Sequence, residues 1–346
     1  MSRRSLYVDR SPGEVRAVLA LDGQPERLVI RRDDDDLRLA LGARLAARVA
    51  SVEPAIATAF LDLGGGAEAV MPFKTEARPQ VGQFVEIEIR TEPRRDKRAV
   101  ARMRGPAEAP PRLLAPPPDP VDQLEVFIAD GGCIEGRAAR EMADEAETQA
   151  LAVSHPLAGG GALSIEPTRA LVAVDIDVGA RKGSEAKRIT RQTNLAALPV
   201  LARLLRLKAL GGLVVIDLVG RGHDASAIIA GARTAFAPDN PGVVIGPVGR
   251  FGAMELVIPR RVRPLAELLC DRAGALSPRS LAQRLIRRLE DEGRAQPGAR
   301  LEARCAPEVA LAAAPLGKVL ADRLGARFAI RADPGRPRDA LEVVRS

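Results

Sequence analysis

The sequence predicts a multidomain α/β protein, and three observations support this fold class. Alternating apolar and polar residues, broken by glycine-containing turns, predict a five-stranded β-barrel over residues 41–104. Two short apolar runs, residues 171–174 and 213–216, are separated by a helical segment and are typical of buried strands in one sheet. Residues 105–120 contain seven prolines, which exclude a helix or an inner strand and predict a linker after the barrel.

A helix is predicted between the two apolar runs. Asn194 is its expected N-cap, and Leu210 precedes the glycine pair that ends it. Because Pro199 lies beyond the first turn, we expect the regular helix to start late. The other predicted elements are short strands within residues 5–32, an acidic loop at 33–36, helices over 136–150 and 225–236, a strand over 242–248, a helix over 277–293, a strand over 301–305, a helix ending near 325 and strands over 327–330 and 340–344.

Each apolar run of the predicted sheet ends in an aspartate. Asp175 follows the first run and Asp217 follows the second. A carboxylate at the end of a buried strand is costly unless it is paired, hydrogen-bonded or bound to a metal. One interpretation is that each aspartate only caps the turn after its strand. A strand–helix–strand unit delivers both to the same edge, however, and Asp177 adds a third oxygen donor, so the pair favours a Mg²⁺ site.

The segments that carry these aspartates resemble a known family. VAVDIDVGAR (172–181), residues 192–220 and GRFGAMEL (249–256) are similar to the catalytic core of the ribonuclease E/G family of bacterial endoribonucleases. The resemblance implies that Asp175 and Asp217 are the two metal ligands. Asp177 stands where the family has an asparagine that orients the second aspartate, and we include it in the catalytic set. Arg250 matches a family arginine near the scissile phosphate, and Phe251 beside it is a further expected RNA contact.

The resemblance also implies a domain organisation. Residues 1–40 and 105–168 are expected to form an RNase H-like domain that is split by an inserted OB-fold barrel at 41–104. A DNase I-like α/β catalytic region is expected at 169–262, and a small α/β domain that forms dimers in the family at 263–346.

The predicted barrel supplies two expected RNA contacts. Phe60 matches a ring that the family presents to RNA, whereas Val70 replaces a second family ring. Lys97 stands where the family has a phosphate-contacting lysine, among several arginines. The alternative for this basic segment is a charged, exposed hairpin without a ligand.

Several positions depart from the family pattern. Arg169, Lys187 and Gly220 stand where the family has acidic residues or an acidic stretch, which makes the expected metal site less negative. His223 is a possible neighbour of Asp217, while His155 is interpreted as an ordinary polar residue.

Two family modules are expected to be missing. The segment that carries the family's pocket for a 5′-monophosphate is absent, and Arg137 or Arg140 is the alternative sensor. Cys270 stands alone where the family has a paired-cysteine zinc half-site, so we expect no zinc link.

Composition is compatible with a polyanionic partner. The chain has 52 Lys and Arg against 45 Asp and Glu, a formal net charge of +7. Three widely spaced cysteines favour a reducing cytoplasm, and no apolar run approaches the length of a membrane span. Seven Phe, one Tyr and no Trp leave few rings for base stacking, so phosphate contacts from arginine and lysine are expected to dominate RNA binding.

Three functions follow from these observations. The favoured one is a Mg²⁺-dependent endoribonuclease that cleaves single-stranded RNA to 5′-phosphate and 3′-hydroxyl ends, with a possible homodimer through the C-terminal domain. The second is a non-catalytic RNA-binding paralogue that uses the barrel and the basic surfaces. A phosphodiesterase acting on DNA or nucleotides is the third.

Overall fold

The computed structural model describes residues 3–95, 97–128, 132–179, 186–237 and 242–345. Its strands are β1 (Arg4–Ser11), β2 (Glu14–Leu21), β3 (Gln24–Arg32), β4 (Arg44–Glu53), β5 (Thr58–Asp62), β6 (Glu68–Pro72), β7 (Phe84–Thr91), β8 (Ala99–Pro106), β9 (Arg112–Ala115), β10 (Cys133–Ile134), β11 (Ser154–Pro156), β12 (Ala162–Pro167), β13 (Val172–Asp177), β14 (Gly212–Asp217), β15 (Val244–Val248), β16 (Ala253–Ile258), β17 (Leu301–Cys305), β18 (Phe328–Ala332) and β19 (Glu342–Arg345). Its helices are α1 (Pro120–Glu125), α2 (Arg137–Leu151), α3 (Ala186–Leu207), α4 (Ala225–Phe236), α5 (Leu265–Leu269), α6 (Pro278–Ala295) and α7 (Pro307–Leu324).

A closed barrel of five strands forms where the alternation predicts one. The strands follow the order β5, β6, β8, β7 and β4, and β4 closes the barrel by pairing with β5. A register shift between Val49 and Ser51 lets β4 bend from one neighbour to the other. Inward residues such as Leu45, Leu61 and Ile87 are fully buried in a core of their own. The proline-rich segment is not irregular throughout, because β9 within it adds to the outer edge of β4.

The two aspartate strands lie in the middle of a six-stranded mixed sheet. The order is β11, β12, β13, β14, β16 and β15, with β13 and β14 parallel and the other neighbours antiparallel. Val174 and Ile216 point into a large core that also contains Leu198 and Leu201 of α3. Helices therefore cover one face of this sheet. The domain boundary expected at residue 168 falls between β12 and β13, which are paired strands of this sheet.

The helix between these strands differs from its prediction. It begins at Ala186 rather than Asn194 and includes Pro199, so the expected late start is wrong. Pro199 removes one backbone donor, but Leu198, Leu201 and Leu205 are buried on the same side of the helix. Burial of this apolar face outweighs the local cost of the proline.

Buried ion pairs connect the N-terminal sheet (β10, β1, β2, β3) to α2 and α6. Arg16 on β2 is fully buried and binds Asp9 at 2.5 Å and Glu147 of α2 at 2.7 Å. Arg287 of α6 binds Glu14 at 2.5 Å. Burial alone would raise the pKa of Glu147, but the charges of Arg287 and Arg16 lower it to about 2. Because each charge has a partner, the burial of these side chains is tolerated.

The C-terminal unit follows its prediction closely. The hydroxyl of Ser277 caps α6 by accepting from the Ser280 N–H, and Pro278 occupies the first turn. α6 and α7 pack on a three-stranded sheet of order β18, β17 and β19.

No helix in the described part of the chain is both long and apolar enough to cross a membrane.

Candidate active site: a carboxylate pair on an open sheet face

Asp175 lies near the end of β13 and Asp217 ends the parallel strand β14, at the same level of the sheet. The register pairs Asp175 of β13 with Asp217 of β14. Val174, Ile176 and Ile216 on either side are buried, whereas both aspartates are exposed. Both carboxylates therefore project from the open face of the sheet. Neighbouring strands lie about 4.8 Å apart, so the two side chains share one small surface.

The donor chemistry of this pair fits a hard cation. Neither carboxylate accepts a hydrogen bond from, or pairs with a cation of, any described residue. Magnesium is commonly held by one or two carboxylates, with water and substrate phosphates completing its shell. Asp177 lies on the same face but accepts a hydrogen bond of 2.9 Å from the Gly179 N–H, which ties it to its own turn. Over the described ranges, no group of three or more His, Cys, Asp or Glu is arranged to hold a metal. The pair is therefore the donor set available here.

The turn between β15 and β16 brings Arg250 and Phe251 to the same end of the sheet. Ala253 is the register partner of Asp217, and the carbonyl of Gly252 accepts from the Leu218 N–H at 3.1 Å. Phe251 is 83% exposed, and the Arg250 guanidinium lies 4.6 Å from its ring centroid. A cation stacked on an exposed ring next to two carboxylates can contact both a phosphate and a base.

Asn194 holds the loop that follows Asp217, a role that we did not predict from the sequence. Its Nδ2 donates to the carbonyl of Val219 at 3.0 Å, and its Oδ1 accepts from the Val219 N–H at 3.1 Å. The side chain is buried within α3 and is not the predicted N-cap. A sequence signal existed, because helical spacing places Asn194 on the buried side with Leu198 and Leu201. A buried amide in such a position needs a specific partner.

The backbone explains one of the departures from the family pattern. Gly220 has φ +95°, and a Cβ there would lie 3.0 Å from Cγ2 of Thr190 on α3. A side chain at this position is therefore strained and crowded. Arg169 is exposed in the turn before β13. Residues 180–185, which include the end of the first motif and the start of the stretch that is acidic in the family, lie outside the described residues.

The two histidines have different surroundings. The Nε2 of His223 is buried and lacks a hydrogen-bond partner among the described residues. It lies so close to Gly252 that a Cβ added to this glycine would be only 3.0 Å away. His223 thus packs against the Arg250–Phe251 turn. His155 is buried on β11, and burial together with the charge of Lys208 lowers its pKa to about 4.

The expected RNA contacts of the barrel lie on a separate element from the carboxylate pair. Phe60 pairs with Val70 across β5 and β6, and the Arg98 guanidinium lies 5.7 Å from the Phe60 ring centroid. Lys97 is exposed in the hairpin between β7 and β8, where it forms a two-residue bridge with Arg94. The surface thus combines one ring with several cations.

The alternative 5′-phosphate sensors are engaged in ion pairs. Arg140 is buried and contacts Asp9, Glu290 and Asp291, so it is a structural residue. Arg137 pairs with Glu141 one turn along α2. 

Two basic side chains at the end of α3 contact protein groups. Lys208 donates to the carbonyls of Gln149 and Ala150 at the end of α2, and Arg206 pairs with the buried Glu26.

Cys270 is half-buried at the end of α5 and packs against the large core. Burial and the nearby charge of Asp271 raise the pKa of its thiol. The side chain therefore behaves as a small apolar group in this position.

Comparison with known proteins identifies the central region. The profile of the Ribonuclease E/G family matches residues 139–261, which contain α2, α3, the aspartate strands and the Arg250–Phe251 turn. "Ribonuclease E" of Haemophilus influenzae is 33% identical over 146 residues, which is 39% of this chain and 16% of that protein. "Ribonuclease E" of Escherichia coli is 32% identical over 146 residues, or 39% of this chain and 14% of that protein. "Ribonuclease G" of Escherichia coli is 29% identical over 118 residues, or 33% and 24%.

The family profile covers the site. The chain spans at most a quarter of the length of each of these three relatives. The family resemblance inferred from the aspartate strands is confirmed. Residues 139–261, which hold the carboxylate pair and its neighbouring turn, are thus the part of the chain that is similar to the ribonuclease E/G family.

Proposed function

We propose that the protein is an endoribonuclease that cleaves single-stranded RNA at the Asp175–Asp217 pair with the help of Mg²⁺. The observation that carries this proposal is the register match of two exposed carboxylates on parallel strands, next to the exposed Arg250–Phe251 turn. The names of the relatives, ribonuclease E and ribonuclease G, support the substrate class. We propose 5′-phosphate and 3′-hydroxyl ends as products, RNA processing or decay as the role, and the cytoplasm as the location.

Each residue near the pair has a distinct task in this proposal. Asp175 and Asp217 would hold the cation, and a bound Mg²⁺ would supply Lewis acidity at a phosphoryl oxygen and lower the pKa of bound water. Arg250 binds the phosphate, and Phe251 stacks on a neighbouring base. Asp177 orients its strand end through Gly179, and Asn194 fixes the loop after Asp217.

The barrel is proposed to hold the RNA away from the cleavage position. Phe60 offers one ring, and Lys97 offers an exposed cation for the backbone. Single-strand binding then depends on salt, with a log–log slope of about −0.7 per phosphate contact. Replacing Lys97 by alanine should reduce the magnitude of this slope by less than one unit.

End-group mapping of a defined RNA tests the proposal. The wild-type protein should produce shorter fragments with 5′-phosphate ends only when Mg²⁺ is added, and Asp217→Asn should produce none. Glu166→Gln is the matched control, because Glu166 is an exposed carboxylate on β12, on the same sheet face. RNA binding without any Mg²⁺-dependent cleavage by the wild type would instead support the non-catalytic RNA-binding function.

A further inference from the structure

A small basic cavity lies at the end of the central sheet away from the carboxylate pair. Its volume is about 160 Å³, and it opens beside the last residues of β16. Gly212 starts β14 and pairs with Ile258, whereas Asp217 ends β14. The stretch of β14 from Gly212 to Asp217, at a rise of about 3.3 Å per residue, places the cavity roughly 17 Å from the carboxylates. Its wall contains Arg27, Phe127, Leu205, Arg206, Phe236, Ile258, Arg260 and Arg261.

The backbone is built to hold Arg260 in this wall. The Nε of Arg260 donates to the carbonyl of Gly211 at 2.7 Å. A Cβ on Gly212 would lie only 2.1–2.3 Å from the Arg260 guanidinium, and Gly212 has φ +90°. The Gly211–Gly212 pair therefore does more than end the preceding helical segment, because it leaves the space that the guanidinium occupies.

Two arginines of this wall, and Arg94 near it, lack a paired carboxylate within the described ranges. No carboxylate of the described residues forms an ion pair with Arg260, Arg261 or Arg94. Burial lowers the pKa of Arg260, the charge of Arg94 lowers it further, and Glu267 only partly offsets these effects. Like charges held together favour an anion between them.

A buried donor in the same wall lacks an acceptor. The side chain of Arg206 is 8% exposed, and its Nη2 binds Glu26 at 2.6 Å. Its Nε, however, is buried and has no hydrogen-bond partner in the described structure. Buried guanidinium donors are almost always satisfied, so an acceptor from a ligand is the simplest explanation.

The barrel is fastened to this wall by its hairpin. The Glu92 N–H donates to the carbonyl of Arg261 at 2.8 Å, and the Thr91 hydroxyl donates to the carbonyl of Arg260 at 3.3 Å. Arg94 bridges to Lys97 in the same hairpin. Basic residues thus continue from the expected RNA contact at Lys97 to the cavity.

We propose that this cavity is a phosphate-binding site, formed by Arg206, Arg260 and Arg261, that holds one backbone phosphate of RNA between the barrel and the carboxylate pair. The volume is below the range of about 300–1,000 Å³ typical of small-molecule sites, so a single phosphate fits better than a complete nucleotide. The arginine fork is the usual group for phosphate recognition. The choice of RNA as the source of the phosphate rests on the proposed function.

Metal-free RNA binding over a series of salt concentrations tests this site separately from cleavage. Fluorescence anisotropy of a labelled single-stranded RNA in EDTA is compared for wild type, Arg261→Gln and Arg260→Lys. Arg300→Gln is the matched control, because Arg300 is an exposed arginine in the C-terminal unit. Arg261→Gln should reduce the magnitude of the log–log slope by about 0.7 and weaken binding, whereas Arg300→Gln should not. Arg260→Lys keeps the charge but loses the fork, so it should weaken binding with little change in slope.

Inorganic phosphate supplies a second measurement by thermal unfolding. Phosphate should raise the melting temperature of the wild type more than that of Arg261→Gln. If the wild type binds RNA and both site variants match it in affinity and slope, the proposal is wrong. If the wild type does not bind RNA, the proposed function fails, and the phosphate measurement alone decides on the cavity. Stabilisation of the wild type but not of Arg261→Gln by phosphate would keep the anion site, with free phosphate as its source. Equal stabilisation of the two proteins would rule the site out.

Discussion

Replacing Asp217 by asparagine should abolish cleavage and, without metal, slightly stabilise the protein. Asp175 and Asp217 are register partners on parallel strands and both are exposed. Two unit charges about 5 Å apart repel by about 0.8 kcal/mol in water and about 3 kcal/mol at an effective dielectric constant near 20. Because both carboxylates face solvent, a gain of about 1 kcal/mol in the free energy of unfolding is expected, or roughly 2–4 °C in melting temperature for a unit of this size. Metal activation contributes several kcal/mol, so cleavage should fall by at least about 10³-fold.

Thermal unfolding with EDTA or Mg²⁺, combined with single-turnover cleavage, measures both effects. Mg²⁺ should raise the melting temperature of the wild type and of Glu166→Gln but not that of Asp217→Asn. RNA affinity in EDTA should stay within about twofold, because the basic residues and not the carboxylates hold phosphate. A large loss of metal-free stability in Asp217→Asn would show that the carboxylate has a structural partner. Near-normal cleavage by Asp217→Asn and Asp175→Asn would remove both residues from the site.

Substitutions at three further positions test other parts of the structure. Asn194→Ala should cost about 2–3 kcal/mol of unfolding free energy, measured by urea unfolding, because it leaves both backbone groups of Val219 without partners. In steady-state kinetics the same variant should lower kcat more than it raises KM. Gly220→Asp should cost about 1–2 kcal/mol of unfolding free energy through its positive φ and the approach to Thr190. Gly220→Ala carries the same backbone cost, so the difference between the two variants isolates any effect of the carboxylate on Mg²⁺ affinity. Wild-type stability in both variants would contradict the expected backbone cost. The pKa of His155 is lowered from 6.5 to about 4, so as the pH falls the unfolded chain binds a proton at His155 before the folded chain does. The free energy of unfolding should therefore decrease as the pH falls from 6.5 to 4. His155→Gln should reduce this pH dependence, and identical stability profiles for the variant and the wild type would refute the prediction.

Local patterns were sufficient for much of the architecture. Period-two alternation in residues 84–90 predicts β7, and the glycines at its turns place the barrel strands within a few residues of their observed bounds. Apolar runs ending in Asp175 and Asp217 predict two strands that end at one edge, and their register pairs the two aspartates directly. These features depend on neighbours within the same segment, which a sequence displays directly.

Contacts between distant segments required the tertiary structure. Asn194 has the sequence features of an N-cap, but its partner Val219 is 25 residues away and can be identified only once α3 packs on the sheet. Arg206 and Lys208 are charged residues near the end of a predicted helix, but Arg206 pairs with Glu26 and Lys208 donates to carbonyls at the end of α2, partners that are distant in sequence.

The sequence by itself determined the element types, the barrel, the resemblance to a family and the carboxylate pair, because periodicity and strand-end chemistry are local properties. Only the tertiary structure decided which arginines are neutralised and which are available for a ligand. Arg140 is neutralised by Asp9, Glu290 and Asp291, whereas Arg260 is held against Gly211 with no carboxylate paired to it in the described chain. The physical reason is that the charge available to a ligand depends on which side chains folding brings within a few ångströms, and sequence separation carries no information about that distance.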